Sequence, residues 1–181
     1  MKFLPVFSDD LATLVFFIVF AYLLGSIPFG IIWAKVFNLG SLRDIGSGNI
    51  GATNVLRTGN KLAAFLTLFC DGGKGFVAVL FAELLSEEFT VQAVCLFVFI
   101  GHCFPIWLKF KGGKGVATYI GIVTSINFFF GLVTCVIWLL SAAMLRISSF
   151  SQHCFQQSLD LLLCFFFWTL ASLVCQQCSL V

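Results

Sequence analysis

The chain has 181 residues, of which 60% are hydrophobic and 10% are charged, and its mean hydropathy is +1.08. Soluble domains are about half apolar and about a quarter charged, so this composition excludes an ordinary soluble domain and indicates a membrane protein. The net charge of +2 is small, and no basic run is interleaved with aromatic residues as in nucleic-acid-binding proteins. We therefore predict one all-α, polytopic helical membrane domain over residues 1–181 and no nucleic-acid partner.

The first apolar runs have the length of membrane-spanning helices. Leu11–Ala34 is uncharged and long enough to cross a hydrocarbon core of about 30 Å, and no signal-peptide cleavage pattern follows it, so we predict a retained first helix. The segment Gly25–Gly30 contains a proline that should kink this helix. Leu62–Ala82 and Phe89–Leu108 are the next candidates, and we expect Gly72-Gly73 to break the former.

The second half of the chain adds further candidate spans. The uncharged run 115–145 should form two short helices that turn near Ser125-Ile126-Asn127, because one long helix would carry Arg146 to the opposite side. Residues 161–181 could cross once more, which gives about six to seven spans. Loops 35–61 and 109–114 are basic and the turn at 83–88 is acidic, so we predict cytoplasmic loops and an external N-terminus.

The glycine-rich basic loop at 109–115 is the main candidate for a binding site. Its glycines permit tight turns that bring backbone N–H groups near an anion, and its lysines add charge at the start of a helix. The residues are Lys109, Lys111, Gly112, Gly113, Lys114 and Gly115. The alternative is a basic loop that only sets membrane topology.

A second polar loop, 46–57, contains hydroxyl groups, amides and a guanidinium that could bind a phosphate. Its candidates are Ser47, Asn49, Thr53, Asn54 and Arg57. Residues 46–51 also match the dinucleotide pattern G-x-G-x-x-G, but we reject that interpretation because a membrane helix precedes them instead of a strand. An ordinary polar loop with turn residues stays an alternative.

Three ionisable residues lie inside predicted spans, where such groups are usually paired or line a cavity. Asp71 and Lys74 form either a structural ion pair or part of a polar site, and His102 is either a structural hydrogen-bonding residue or a catalyst. Gly-Gly-Lys-Gly occurs at 72–75 and again at 112–115, and we place both copies at helix junctions suited to phosphate. No metal site is expected, because Cys175-x-x-Cys178 lacks further ligands at suitable spacing.

Several of these motifs together resemble the bacterial acyl-phosphate:glycerol-3-phosphate acyltransferases of the PlsY type. The resemblance covers about residues 11–149. It rests on Gly25-Ser26-Ile27-Pro28, the loop Gly46–Arg57, Asp71-x-x-Lys74-Gly75, Gly101-His102-x-x-Pro105 and the segment from Lys111 to Thr118. It implies a helical enzyme of the bacterial inner membrane that makes lysophosphatidic acid from acyl phosphate and glycerol 3-phosphate, without metal or cofactor. Its partners would be the bilayer and the enzyme that supplies acyl phosphate.

The resemblance also implies roles for single residues. Ser47, Asn49 and Thr53 would hold the acyl-phosphate end together with the 112–115 backbone, while Arg57 and Lys114 would bind the phosphate of glycerol 3-phosphate. We group Ser47, Arg57, Lys114 and His102 as catalytic, and Asn49, Thr53, Asn54, Asp71, Lys74, Lys111, Gly112, Gly113, Gly115 and Ser149 as substrate-binding.

The tail 150–181 departs from the family pattern. The family usually continues with a His-x-x-Asn-type basic motif, whereas His153 is followed here by Cys154-Phe155-Gln156 and a Cys/Gln-rich apolar segment. A shifted reading frame or a truncated gene would explain this change. The alternatives to an acyltransferase are therefore an inactive remnant, or a small transporter or binder of an anionic phosphate metabolite.

Overall fold

The computed structural model describes residues 10–145, with side chains as far as residue 140, and every regular element in that range is helical. The α-helices are α1 (Leu11–Gly25), α2 (Phe29–Val36), α3 (Ala52–Leu56), α4 (Lys61–Leu85), α5 (Glu88–Cys103), α6 (Val116–Ile126) and α7 (Phe128–Leu145). Short 3₁₀ turns occupy Leu42–Asp44 and Ile106–Leu108. The predicted all-α class is confirmed.

The first span is broken where its sequence predicts a kink. α1 begins after Asp10, whose carboxylate accepts a hydrogen bond of 2.8 Å from the backbone N–H of Thr13. It ends at Gly25, and α2 begins at Phe29, directly after Pro28. Proline lacks an N–H to continue the hydrogen-bond ladder of α1, so the helix is interrupted between α1 and α2.

The expectation that Gly72-Gly73 breaks the next span was wrong, because α4 continues without interruption from Lys61 to Leu85. Each glycine costs about 1 kcal/mol of helix propensity, but an interrupted helix at this depth would leave backbone groups unsatisfied in an apolar environment. The absent side chains also let α6 approach closely. A Cβ atom at Gly121 would overlap the carbonyl oxygen of Gly72.

The predicted division of the run 115–145 into two helices near Ser125-Ile126-Asn127 is confirmed. α6 ends at Ile126, α7 begins at Phe128, and only Asn127 separates them. The side-chain oxygen of Asn127 accepts a hydrogen bond of 3.2 Å from the backbone N–H of Phe130, which caps the first turn of α7.

The helices pack around two clusters of buried hydrophobic side chains. The larger core joins α1, α4, α5 and α6 through residues such as Phe17, Val79, Val98 and Phe99. The smaller core joins α2, α3, the Leu42–Asp44 turn and the start of α4. Large apolar side chains cover much of the outer surface, as expected where lipid instead of water surrounds the protein.

Three described segments are long and apolar enough to cross a membrane: Leu11–Val36, Lys61–Leu85 and Glu88–Leu108. With the shorter apolar helices α6 and α7, they form a helical integral membrane protein. The total of six to seven spans stays a prediction, because residues 161–181 lie outside the described part of the chain.

The two ends of the helical bundle differ in charge. α4 contains 25 residues and is about 37 Å long at about 1.5 Å per residue. Its first turn adjoins the 46–57 loop, and its last turn leads to the acidic turn before α5. The hydroxyl of Tyr22 donates a 2.9 Å hydrogen bond to the carbonyl of Phe104, so the end of α1 lies beside the end of α5. Both basic loops therefore share one end of the bundle.

Candidate active site

The 46–51 loop is shaped by glycines and fastened by one buried amide. Gly46 and Gly48 have left-handed backbones, with φ of +53° and +66°. The side chain of Asn54 donates to the carbonyl of Leu42 at 2.9 Å and to that of Asn49 at 2.7 Å. Its oxygen accepts from the backbone N–H of Ser47 at 3.2 Å and lies 3.5 Å from the Ser47 hydroxyl.

These four contacts use the hydrogen-bonding positions of the Asn54 amide within the loop. Asn54 is 1% exposed, so its contacts in this structure are those of a residue that positions the loop. The sequence analysis grouped it with substrate-binding residues on composition alone. Asn54 is buried and its neighbour Thr53 is exposed. The local sequence does not reveal this difference in burial.

The remaining candidates of this loop are more accessible to solvent than Asn54. Ser47, Thr53 and Arg57 are exposed, and Asn49 is half-buried. The Arg57 side chain lies against Gly46, where an added Cβ would contact its guanidinium. Hydroxyl groups, an amide and a guanidinium therefore lie on one short segment of the chain, and their roles in binding stay predictions.

The 109–115 loop folds back onto the end of α5. Gly112 and Gly113 donate 3.0 Å hydrogen bonds to the carbonyls of Cys103 and His102, respectively. In this arrangement those two N–H groups hold the loop against α5. An anion would instead meet the loop through Lys114, which is half-buried, and the N-terminal end of α6.

Beneath this loop lies a cluster of buried ionisable side chains. Lys74 donates to the carboxylate of Asp71 at 2.9 Å and to the carbonyl of Ile27 at 3.0 Å. The Nδ1 atom of His102 lies 3.6 Å from the same carboxylate. All three side chains are buried, so the ion-pair interpretation of Asp71 and Lys74 is the one that the structure shows.

The imidazole of His102 supports the glycine loop directly. A Cβ at Gly113 would overlap its Nε2 atom, so only glycine permits this approach. Asp71 also accepts, through its backbone carbonyl, a 2.9 Å hydrogen bond from the hydroxyl of Thr118 on α6. The cluster thus joins the α1–α2 break, α4, α5 and α6 immediately below the loop.

The two copies of Gly-Gly-Lys-Gly do not occupy equivalent places. The copy at 112–115 precedes α6, as expected, but the copy at 72–75 lies inside α4, so its assignment to a helix junction was wrong. An apolar helix that continues on both sides leaves no turn for the glycines to form.

Arg43 connects the two loops, and the sequence analysis did not single it out. Its Nη1 atom donates to the carbonyl of Gly48 at 3.1 Å, and its Nη2 atom donates to the carbonyl of Lys111. The one signal in the sequence is a guanidinium three residues before a glycine-rich turn. The partner at Lys111 is remote along the chain and could not be inferred from that signal.

Together, these features define a class: helical membrane proteins with two polar, glycine-rich loops, one of them rich in lysine, at one end of the bundle. Ser149 lies outside the described residues, so its place relative to this site stays a prediction.

Comparison with known proteins identifies the family. The model of the glycerol-3-phosphate acyltransferase family matches residues 15–181, and this chain belongs to that family. The match extends beyond residue 149, where the motif resemblance ended. A glycerol-3-phosphate acyltransferase of Roseobacter denitrificans is 63% identical over 131 residues, which are 72% of this chain and 66% of the relative. One from Cereibacter sphaeroides is 51% identical over 148 residues, which are 82% of this chain and 70% of that protein.

A solved structure has the same fold. The crystal structure of PlsY (YgiH), an integral membrane glycerol 3-phosphate acyltransferase in its glycerol 3-phosphate form, superposes with a TM-score of 0.75 at 33% identity. The alignment covers 91% of this chain and 87% of that one. The chain spans slightly less than two thirds of the Roseobacter relative and 64% of one from Jannaschia.

Proposed function

We propose that this protein is a glycerol-3-phosphate acyltransferase that transfers a fatty acyl group from acyl phosphate to glycerol 3-phosphate, giving lysophosphatidic acid for phospholipid synthesis. The observation that carries the proposal is the meeting of two polar loops, one with hydroxyl and amide groups and one with lysines, at one end of an apolar bundle. Relatives bearing the acyltransferase name, and the related crystal structures in glycerol 3-phosphate and lysophosphatidic acid forms, support it.

The chemistry suits a site without a protein nucleophile. An acyl phosphate is a mixed anhydride, so its carbonyl carbon is already activated. The glycerol hydroxyl oxygen forms the new ester bond, the acyl–oxygen bond to phosphate breaks, and the departing phosphate takes the hydroxyl proton. The protein needs only to orient the two substrates and to stabilise the negative charge that develops on the carbonyl oxygen.

We assign the two loops complementary roles. Ser47, Asn49 and Thr53 contact the acyl-phosphate end of the donor, and the exposure of Ser47 and Thr53 supports this assignment. Arg57 and Lys114 bind the phosphate of glycerol 3-phosphate, since a guanidinium and an ammonium offer strong charge-assisted donors. We also keep Ser149 as a proposed substrate-binding residue near the phosphate of glycerol 3-phosphate.

His102 receives a different role from the catalytic one expected from the sequence. It is 5% exposed and lies beneath Gly113, so we propose that it positions the glycine loop. Asp71 and Lys74, which bond to each other and pack with it, act in the same way. With this assignment, the residues proposed to contact substrate are the more accessible ones of the two loops.

We infer that the protein lies in the bacterial inner membrane with both basic loops in the cytoplasm. The shared end of these loops and the acidic turn at the opposite end support that orientation through the positive-inside rule. In this orientation the site faces the compartment of glycerol 3-phosphate, and the enzyme that supplies acyl phosphate is the expected protein partner.

The test is formation of lysophosphatidic acid by the purified chain in lipid nanodiscs, given glycerol 3-phosphate with acyl phosphate or with acyl-CoA. We expect product from acyl phosphate only. Lys114→Ala should lower kcat/KM by about 100-fold, because a charge-assisted contact to phosphate is lost. Lys35→Ala, which removes a lysine from the end of α2 near the same end of the bundle, should leave the rate nearly unchanged.

Two results would contradict the proposal. A well-folded chain that makes no product would indicate an inactive remnant. Uptake of labelled glycerol 3-phosphate into proteoliposomes without any acyl donor would indicate a transporter.

A further inference from the structure

We propose that Arg43 is a positioning residue that fastens the 46–51 loop to the 109–115 loop and so sets the separation of the two halves of the site. The effect of this link on substrate binding rests on the function proposed above. The link between the loops does not depend on that function, and hydrogen exchange measures it without substrate.

The guanidinium group of Arg43 bonds both loops at once. One of its nitrogens donates to the carbonyl of Gly48 at 3.1 Å, and the other donates to the carbonyl of Lys111. Gly48 is 5 residues away along the chain and Lys111 is 68 residues away. Two carbonyls from separate segments therefore depend on one planar group. A lysine ammonium keeps the charge but not this rigid fork.

The backbone around Arg43 is held in place by its neighbours. Leu42, the residue before Arg43, is 4% exposed, and its carbonyl accepts the 2.9 Å hydrogen bond from buried Asn54. The carbonyl of Arg43 packs against Gly48, where an added Cβ would lie 3.1 Å from its oxygen. Arg43 thus extends from a rigid turn to reach the other loop.

Lys111, the distant partner of Arg43, directly follows two residues with an unfavourable backbone conformation. Lys109 and Phe110 both have left-handed conformations, with φ of 53° and 61°, which residues with side chains rarely adopt in succession. Such conformations persist only where surrounding contacts hold them. Within the described residues, the bonds from Phe110 N–H to the Pro105 carbonyl and from Arg43 to the Lys111 carbonyl are two such contacts.

The link has a kinetic consequence because the proposed donor and acceptor contacts lie on different loops. Ser47 belongs to one loop and Lys114 to the other, so their spacing determines whether the acceptor hydroxyl reaches the donor carbonyl. Without the link, each substrate must also order the loops when it binds. The KM values for both substrates should therefore rise together.

The experiment compares Arg43→Lys, Arg43→Gln and Lys35→Gln with the wild type in nanodiscs. Arg43→Lys keeps the charge and removes the fork, whereas Lys35→Gln removes a charge at the end of α2. We expect both Arg43 variants to raise KM for acyl phosphate and for glycerol 3-phosphate by about tenfold, as loss of two hydrogen bonds predicts. Lys35→Gln should keep wild-type KM values.

Hydrogen exchange of the same samples supplies a readout without substrates. We expect faster exchange in both 46–51 and 109–115 for the Arg43 variants, and unchanged exchange in α4 and α5. If the wild type makes no product, the proposed function fails, but this comparison still decides whether Arg43 links the loops.

Three outcomes overturn the inference. Wild-type KM values in Arg43→Lys would show that Arg43 acts through charge alone. Unchanged exchange in either loop would show that the loops hold their places without it. Loss of the folded state in either Arg43 variant would contradict a role confined to the loops.

Discussion

The same four residues, Gly-Gly-Lys-Gly, form two different structures in this molecule. At 72–75 they continue α4, where Lys74 is buried and paired with Asp71. At 112–115 they form an irregular loop with a half-buried lysine, ending at Gly115 with φ of +79°. The first copy serves packing between helices, and the second belongs to the candidate active site.

Surroundings, and not the motif, determine the difference. The first copy lies within a long apolar run, where an unbroken helix satisfies the backbone. The second copy follows the end of α5 at Cys103 and the left-handed residues Lys109 and Phe110, so no helix runs through it. Glycines therefore permit close approach in both places, to α6 in one case and to His102 in the other.

The largest contrast is expected between the two lysines. Lys74→Ala leaves the Asp71 carboxylate buried without its cation, so we expect a loss of about 3–5 kcal/mol in the free energy of unfolding. Lys114→Ala should abolish most activity with little change in stability. Thermal unfolding in detergent, measured beside the acyltransferase assay, checks both. A stable Lys74→Ala protein would show that the ion pair is not structural.

The next contrast concerns glycines of the first copy. Gly75→Ala places a Cβ 2.5 Å from the carbonyl oxygen of Thr118, whereas Gly73→Ala meets no atom within 4 Å. We expect Gly75→Ala to destabilise the protein by about 1–3 kcal/mol through overpacking. Gly73→Ala should be neutral or stabilising by up to about 1 kcal/mol, because alanine favours a helix. Equal unfolding temperatures for the two variants would contradict the tight α4–α6 contact.

A smaller effect on folding, but a clear one on catalysis, is expected at Gly113. Gly113→Ala must displace the loop or the His102 ring, so we expect kcat/KM to fall about tenfold, equivalent to about 1.4 kcal/mol. Combining it with His102→Ser should restore part of that loss, because the smaller side chain makes room. If the losses in kcat/KM of the two single variants simply add in the double variant, Gly113 and His102 do not interact.

The smallest effect should come from Lys109. In Lys109→Gly the glycine favours the left-handed backbone of the folded state but raises the conformational entropy of the unfolded chain. We therefore expect the free energy of unfolding to change by less than about 0.5 kcal/mol. Lys109→Val should cost about 1 kcal/mol or more, because a β-branched residue resists a positive φ. Chemical unfolding of both variants measures the difference. Equal stability of the two would show that the turn relaxes freely.

Local signals predicted much of the fold. The apolar runs indicated the spans, the proline indicated the break before Phe29, and the length of the run 115–145 indicated its division into α6 and α7. The continuity of α4 was missed because two adjacent glycines favour a break locally, whereas the apolar surroundings favour an unbroken helix that satisfies the backbone. In both loops the candidate site residues were predicted from composition, and their roles stay predictions. The link from Arg43 to Lys111 was not predicted, since it joins residues far apart in the chain.

The spacing of Asp71 and Lys74 bears on how the protein enters the bilayer. Residues three apart on a helix share one face, so this ion pair, 2.9 Å across, can form within α4 alone. The helix can therefore partition into lipid with its two charges already neutralising each other, before α5 delivers His102 or the α1–α2 break delivers the Ile27 carbonyl. If the two charges were on different helices, each helix would have to bring an unpaired charge into the bilayer during biogenesis, which is energetically costly.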